Sequence, residues 1–233
     1  MIYTIGDLHL GSQVEKPMSV FGSNWNEHPQ KMRDSWLSQV APQDAVLIPG
    51  DISWAMTLEE AMPDLEWIDS LPGRKYLIKG NHDYWWKSIH KLNALSETMF
   101  FIQNHFFPYE GKAICGTRGW ACPGTPGFTP QDQKIYLREA QRLELSLQAA
   151  KRAGHDHIIG MIHFPPANER KEPSLFTHLF ETYGVTQVVY GHIHGEDSIQ
   201  PGPIKWINGV YYQLVSSDFL KFEVTPLQKP AGT

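Results

Sequence analysis

Seven residues that follow apolar runs in this chain carry side chains of the kinds that can bind metals: Asp7, His9, Asp51, Asn81, His163, His192 and His194. They comprise two carboxylates, four imidazoles and one amide oxygen. That is too many ligands for one four-coordinate ion, and the set suits two ions that share a carboxylate. Asp7/His9 and His192/His194 are each spaced i, i+2, so in extended backbone each pair would project to one side. The set contains no cysteine. Mixed imidazole and carboxylate ligation fits Mn, Fe, Co, Ni or Zn and differs from the oxygen cages typical of Ca²⁺ and Mg²⁺. Two divalent ions would outweigh the two carboxylates. The site would then attract an anion such as phosphate, although the whole chain carries a net charge of −5.

Elements must bring these residues together, and short apolar runs stand directly before them. Ile2 to Ile5 leads to Gly6-Asp7, Ala45 to Ile48 to Gly50-Asp51, and Tyr76 to Ile78 to Gly80-Asn81. His157 to Ile162, with Gly160 inside it, leads to His163, and Gln187 to Tyr190 leads to Gly191-His192. Near-continuous apolar runs of this length suit strands buried on both faces. In open α/β sheets, sites collect beyond the carboxyl ends of strands, so five strand ends can converge on one place.

Between the runs, apolar residues recur at helical spacing in Gln30 to Val40, Tyr84 to Leu95, Pro130 to Ala153 and Pro173 to Tyr183. Thr129 is a fitting N-cap, Pro130 a first helical residue and Gly154 a C-terminal cap. Thr57 to Glu60 reads as a capping box, with Pro63 expected to kink or restart that helix. Residues 100 to 102 and 112 to 117 read as strands. Asn208-Gly209 between Ile204 to Ile207 and Val210 to Val215 signals a hairpin. No repeat, low-complexity stretch or linker interrupts the chain. Residues 1–233 therefore read as one domain, with Thr225 to Thr233 a frayed tail.

Composition sets outer limits. Hydrophobic residues make up 41% and charged residues 19% of 233, as in ordinary globular proteins. The net negative charge gives no overall field for nucleic acid or anionic membrane, and no basic tract points to nucleic acid. No apolar run approaches the ~18 residues of a transmembrane helix. Asp7 leaves no room ahead of it for a signal-peptide core. Cys115 and Cys122 read as reduced thiols, so a cytoplasmic protein is expected.

Taken in order, D-x-H (Asp7 to His9), G-D (Gly50-Asp51), G-N-H-D (Gly80 to Asp83), His163 and G-H-x-H (Gly191 to His194) resemble the motifs of the calcineurin-like metallophosphoesterase superfamily. The resemblance spans residues 7 to 194. It implies an α/β fold, a four-layer αββα sandwich of two mixed β-sheets flanked by helices, with the metal site at the C-terminal ends of the strands. It implies two divalent transition-metal ions, Mn, Fe or Zn foremost and Co or Ni after them. One would be held by Asp7, His9, Asp51 and His194, the other by Asp51, Asn81, His163 and His192, with Asp51 bridging. The implied activity is hydrolysis of a phosphodiester or small phosphomonoester by a metal-bridging water or hydroxide, on a phosphorylated small molecule or nucleotide. His82 would face the substrate, as acid or charge stabiliser, with Asp83 holding its imidazole. The alternative is a metal-binding interaction scaffold of the same fold with negligible turnover.

The sequence departs from protein phosphatases of this superfamily, which follow G-D with an acidic residue and a phosphate-gripping arginine. Here the stretch reads Gly50-Asp-Ile-Ser-Trp54, without arginine. Arg118 is the best replacement phosphate binder, and Trp54 stands where it can touch substrate. Tyr84, Trp85, Trp86 and Trp120 lie near site-forming segments, although Trp85 has core spacing with Ile89 and Leu92. The loop Trp120 to Pro130 and the segment Phe164 to Pro173 are expected to set substrate range. His28, His90, His105, His155, His157 and His178 fit no motif and read as ordinary histidines.

Overall fold

The computed structural model describes residues 1–14, 16–195 and 203–228. In the first sheet β1 (Ile2–Thr4), β2 (Ala45–Ile48), β3 (Arg74–Leu77) and β4 (Met99–Phe101) lie side by side and parallel. In the second, β6 (Lys112–Thr117), β7 (Ile158–Ile162), β8 (Gln187–Tyr190) and β10 (Val210–Leu214) are parallel. Its edges are antiparallel: β5 (Phe106–Tyr109) beside β6, and β9 (Trp206–Ile207) beside β10. Helices α1 (His28–Gln39) and α2 (Leu58–Asp69) pack on the first sheet. Helices α4 (Pro130–Arg152) and α5 (Leu175–Thr182) pack on the second.

The apolar runs are continuous because each strand feeds two cores. In β2, Val46 and Ile48 face the helices, while Ala45 and Leu47 face the other sheet. In β7, Ile158 and Ile162 face α4 and α5, while Ile159 and Met161 meet Leu47, Tyr76 and Val189 between the sheets. The result is the four-layer αββα order. The parallel strands of each sheet end at the same edge. There the two sheets touch, with Gly6 bridged to Ser216 and the Gly6 amide donating to Val215 O at 2.6 Å.

The caps act as their residue types demand. Thr57 with Glu60, Thr129 with Asp132 and Ser174 with Thr177 close reciprocal capping boxes. Gly154 follows α4 at φ +83°, and Asn208 (φ +47°) with Gly209 (φ +84°) turns the β9–β10 hairpin.

Three expectations are corrected and one strand is added. The helix over Tyr84 to Leu95 shrinks to α3 (Ile89–Leu92). Asp83 accepts a hydrogen bond from the Trp85 indole at 3.1 Å and so ties that residue into irregular backbone, while Trp85 and Trp86 sink into the core. Pro63 neither breaks nor restarts α2, which runs through it. Thr225–Pro226 is strand β11, paired antiparallel with β1 through Tyr3↔Pro226, so the tail begins no earlier than residue 227; residues 229–233 lie outside the described residues. Strand β5 has no counterpart in the sequence reading, because Phe106-Phe-Pro-Tyr109 carries a proline at an edge where no ladder donor is needed.

Candidate metal centre

Each ligand stands just past the end of a strand. Asp7 and His9 follow β1, Asp51 follows β2, Asn81 follows β3, His163 follows β7, and His192 and His194 follow β8. The backbone there is not extended. Asp7 (φ +54°), His9 (+44°), Asp51 (+50°) and His192 (+74°) all sit in the left-handed region. The i, i+2 pairs therefore converge through sharp local turns and not through strand pleating. Conformations of this kind cost energy at non-glycine residues and persist where surrounding contacts impose them.

The glycines before the ligands explain how the turns fit. A Cβ on Gly191 would lie 2.2 Å from Asp7 Oδ2, and one on Gly80 would lie 2.1 Å from Asp51 Oδ1. Those carboxylates press directly on backbone, and only glycine leaves the room. In return the backbone holds them. The His192 amide donates to Asp7 Oδ1 at 3.0 Å, and the His82 amide donates to Asp51 Oδ1 at 2.8 Å.

The side chains gather into two adjoining groups. Asp7, His9 and His194 form one, and Asp51, His163 and His192 the other; within each, one ligand atom per residue lies within 4.8 Å of the others. In the first group His9 Nε2 and His194 Nε2 are 3.1 Å apart, and His194 Nε2 is 3.5 Å from Asp7 Oδ1. In the second, His163 Nε2 is 2.7 Å from Asn81 Oδ1, 3.3 Å from His192 Nδ1 and 3.5 Å from Asp51 Oδ2. Asp51 Oδ2 is also 3.8 Å from His9 Nε2, so one carboxylate oxygen faces both groups.

The outer hydrogen bonds aim each Nε2 at the cluster. His163 Nδ1 donates to Pro49 O at 2.9 Å, and His194 Nδ1 donates to Asp218 Oδ1 at 3.0 Å. In its neutral form an imidazole so anchored presents Nε2 as a lone-pair donor, the usual outer support of a metal-bound histidine. Burial lowers the pKa of His9 and His163, and it takes His192 down to about 3. These rings are neutral at pH 7, the form that binds a metal. Burial and the neighbouring Asp7 charge push Asp51 up to about 8. His194 resists burial because Asp218 and Asp7 raise it to about 10. A buried carboxylate and imidazole that hold protons in this way mark a place where a cation belongs. The donor set fits a pair of divalent transition-metal ions.

Four other expected residues are placed differently from one another. Trp54 lies at the cluster: its ring stacks on His9 at 4.9 Å and lies 4.3 Å from His82. His82 is half-buried beside it. Asp83 does not hold the His82 imidazole. Its buried carboxylate accepts the amides of Ile52, Ser53 and Gly80 and the Trp85 indole, and so joins the two ligand loops. Arg118 directs its guanidinium to buried Glu139 at 3.2 Å and over the Trp120 ring at 4.6 Å. Phe164 stacks on His192 at 4.0 Å and meets Trp120, so both expected specificity segments reach the site's edge. Tyr84 is exposed.

Two residues escaped the sequence reading. Asp218 follows β10 and orients His194; it stands in Ser-Ser-Asp, which matches no motif, and only its place after an apolar run could have pointed to it. His28 is buried, with ring nitrogens 3.1 Å from Trp25 O and 3.1 Å from Leu8 O, and so braces the turn that carries His9.

With this geometry established, the comparisons decide the family. The model of calcineurin-like phosphoesterases matches residues 1–196. The chain belongs to that family. Among curated relatives, the Gene 66 proteins of Mycobacterium phages L5 and D29 are similar to this phosphoesterase-family chain. They are 39% identical over 77 residues and 36% over 83 residues. The matched stretches cover 33% and 35% of this chain, and only 37% and 40% of those proteins' own length. Two solved structures share the fold at 15% identity and TM-score 0.51. One, from Aquifex aeolicus, is of unknown function, and 97% of this chain covers 94% of it. The other is a phosphopantetheinyl hydrolase from Mycobacterium tuberculosis, where the figures are 92% and 88%.

Proposed function

We propose that this chain is a metal-dependent phosphohydrolase that cleaves a phosphodiester or a small phosphomonoester at a centre of two divalent ions, Mn, Fe or Zn. One observation carries the reading: Asp51 Oδ2 faces both ligand groups, at 3.8 Å from His9 Nε2 and 3.5 Å from His163 Nε2. Bound divalent cations supply Lewis acidity toward the phosphoryl group and make water nucleophilic near neutral pH. Asp7, His9 and His194 would hold one ion, Asn81, His163 and His192 the other, and Asp51 would serve both. His82, half-buried and wedged by Trp54, stands at the mouth. Burial lowers its pKa, so its ring is neutral at pH 7. It orients the departing oxygen by a hydrogen bond and does not arrive there as an imidazolium. Asp83 fixes the loops and takes no proton from substrate. The substrate is a phosphorylated small molecule or nucleotide. The hydrolase from M. tuberculosis is named for a phosphopantetheinyl substrate, and at 15% identity it lends this chain its fold alone.

The test is hydrolysis of nitrophenyl phosphate beside bis-nitrophenyl phosphate by metal-stripped protein with Mn²⁺ restored. Turnover of either ester that falls to background in Asp51→Asn is the expected result. Two bound metals with neither ester cleaved would favour the scaffold alternative.

A further inference from the structure

Beside the metal centre, where the two sheets meet at their carboxyl edges, lies a small hollow that opens to solvent. Lys79, Gln103 and Asn104 line it from the first sheet's side, Arg118 from the end of β6, and Glu139 and Arg142 from α4. It adjoins the second ligand group through the chain itself. Lys79 precedes Asn81 by two residues, and Arg118 O accepts the amides of His163 and Phe164, each at 3.0 Å.

The charges in this hollow do not cancel. Three cations line it, and Glu139 is the one carboxylate among the lining residues. Glu139 is also saturated. Its Oε1 takes Arg142 Nη1 at 3.0 Å and Arg118 Nη2 at 3.2 Å, with Arg138 Nε at 3.9 Å, and its Oε2 takes the Thr117 hydroxyl at 2.8 Å. Arg118 Nε is buried and has no partner among the described residues. Asp83, four residues after Lys79, is occupied by three backbone amides and an indole. Like charges held together in a partly buried hollow call for an anion. Guanidinium forks, an ammonium and two carboxamides are the donors that match phosphoryl oxygens.

We propose that this hollow is a second phosphoryl-binding site, which takes a phosphate group other than the one cleaved. Its occupant is a further phosphate on the substrate or free phosphate from solution. The inference rests on the phosphohydrolase reading for the first source and stands without it for the second.

The first experiment needs no turnover. Crystals of the Mn²⁺-loaded protein are soaked in tungstate, an anomalous-scattering mimic of phosphate. An anomalous peak among Lys79, Arg118 and Arg142, lost in Arg142→Gln, is expected. A peak at the metals and none in the hollow overturns the inference and leaves the phosphohydrolase reading intact. Lys79→Gln, which spares every Glu139 ion pair, replaces Arg142→Gln should that variant fail to fold.

Kinetics then separate the sources. The nitrophenyl ester of thymidine 5′-phosphate is compared with and without a 3′-phosphate. A KM lower by about tenfold for the 3′-phosphorylated ester, with the difference erased in Arg142→Gln, assigns the hollow to the substrate, as loss of one charge-assisted hydrogen bond predicts. Equal KM values with the tungstate peak present support the site with free phosphate as its ligand. No peak and equal KM values refute it.

Discussion

At the residue scale, the candidate ligands were legible because most of them are announced. A glycine precedes Asp7, Asp51, Asn81 and His192, and the structure shows why at two of them: Gly80 and Gly191 let carboxylates press on backbone. Roles that depend on what a side chain touches were less legible. Asp83 stands next to His82 in sequence yet turns to the amides of another loop, and Asp218 reaches His194 from 24 residues away. The protonation of the cluster leads to a pH prediction. In the metal-free protein Asp51, near 8, and His194, near 10, hold protons at pH 7. Both must leave before these groups can bind a cation. Metal binding at pH 7 should therefore release protons, and apparent affinity should rise with pH until these groups have titrated. Calorimetric titration with Mn²⁺ in buffers of different ionisation enthalpy counts the protons. Asp218→Asn, which removes one cause of the raised His194 value, should release fewer. Identical counts in the wild type and the variant would contradict this account of His194.

At the element scale, runs buried on both faces identified the central strands, and capping residues placed the helix starts. The pattern failed where tertiary contacts overruled periodicity, as at Trp85, or where an element is two residues long, as in β11. Gly160 interrupts an otherwise apolar β7 for a packing reason. A Cβ there would lie 2.6 Å from Phe180 Cε1 on α5 and 2.9 Å from Val188 Cγ2 on β8. Interior overpacking of this kind costs about 1–3 kcal/mol. Gly160→Ala should lower stability by that amount in urea denaturation. Because the added methyl lies on the helix-facing side, away from the ligands, Mn²⁺ affinity should change little. An unchanged denaturation midpoint would show that α5 yields without cost.

At the scale of the whole molecule, the arrangement of two sheets face to face was accessible through the ordered motifs and not through periodicity, which says nothing of which strands are neighbours. The ligand set spans both sheets: Asp7, Asp51 and Asn81 come from the first, and His163, His192 and His194 from the second. An ion held by both should stabilise the folded chain globally, since the unfolded chain lacks the site. At a metal concentration a hundredfold above Kd the gain is about 2.7 kcal/mol per ion. Scanning calorimetry should show one transition whose Tm rises with Mn²⁺ and falls with chelator. A Tm indifferent to metal that is demonstrably bound would mean that the unfolded chain holds the ions as tightly as the folded one.

The contact between the chain's two ends gives the molecule a timetable. Asp7 O accepts the Ser217 hydroxyl at 2.7 Å, Asp218 orients His194, and Tyr3 pairs with Pro226. The earliest ligand to leave the ribosome must wait for a support made more than two hundred residues later. At ~5–20 residues per second, that is an interval on the order of ten seconds or longer. Throughout it the nascent chain displays one group of metal-seeking side chains without the other, and the outer edge of its first strand stays unpaired. Assembly of the centre thus trails its first ligands, and a chain released before Asp218 would carry every histidine of the site but not the carboxylate that aims the last of them.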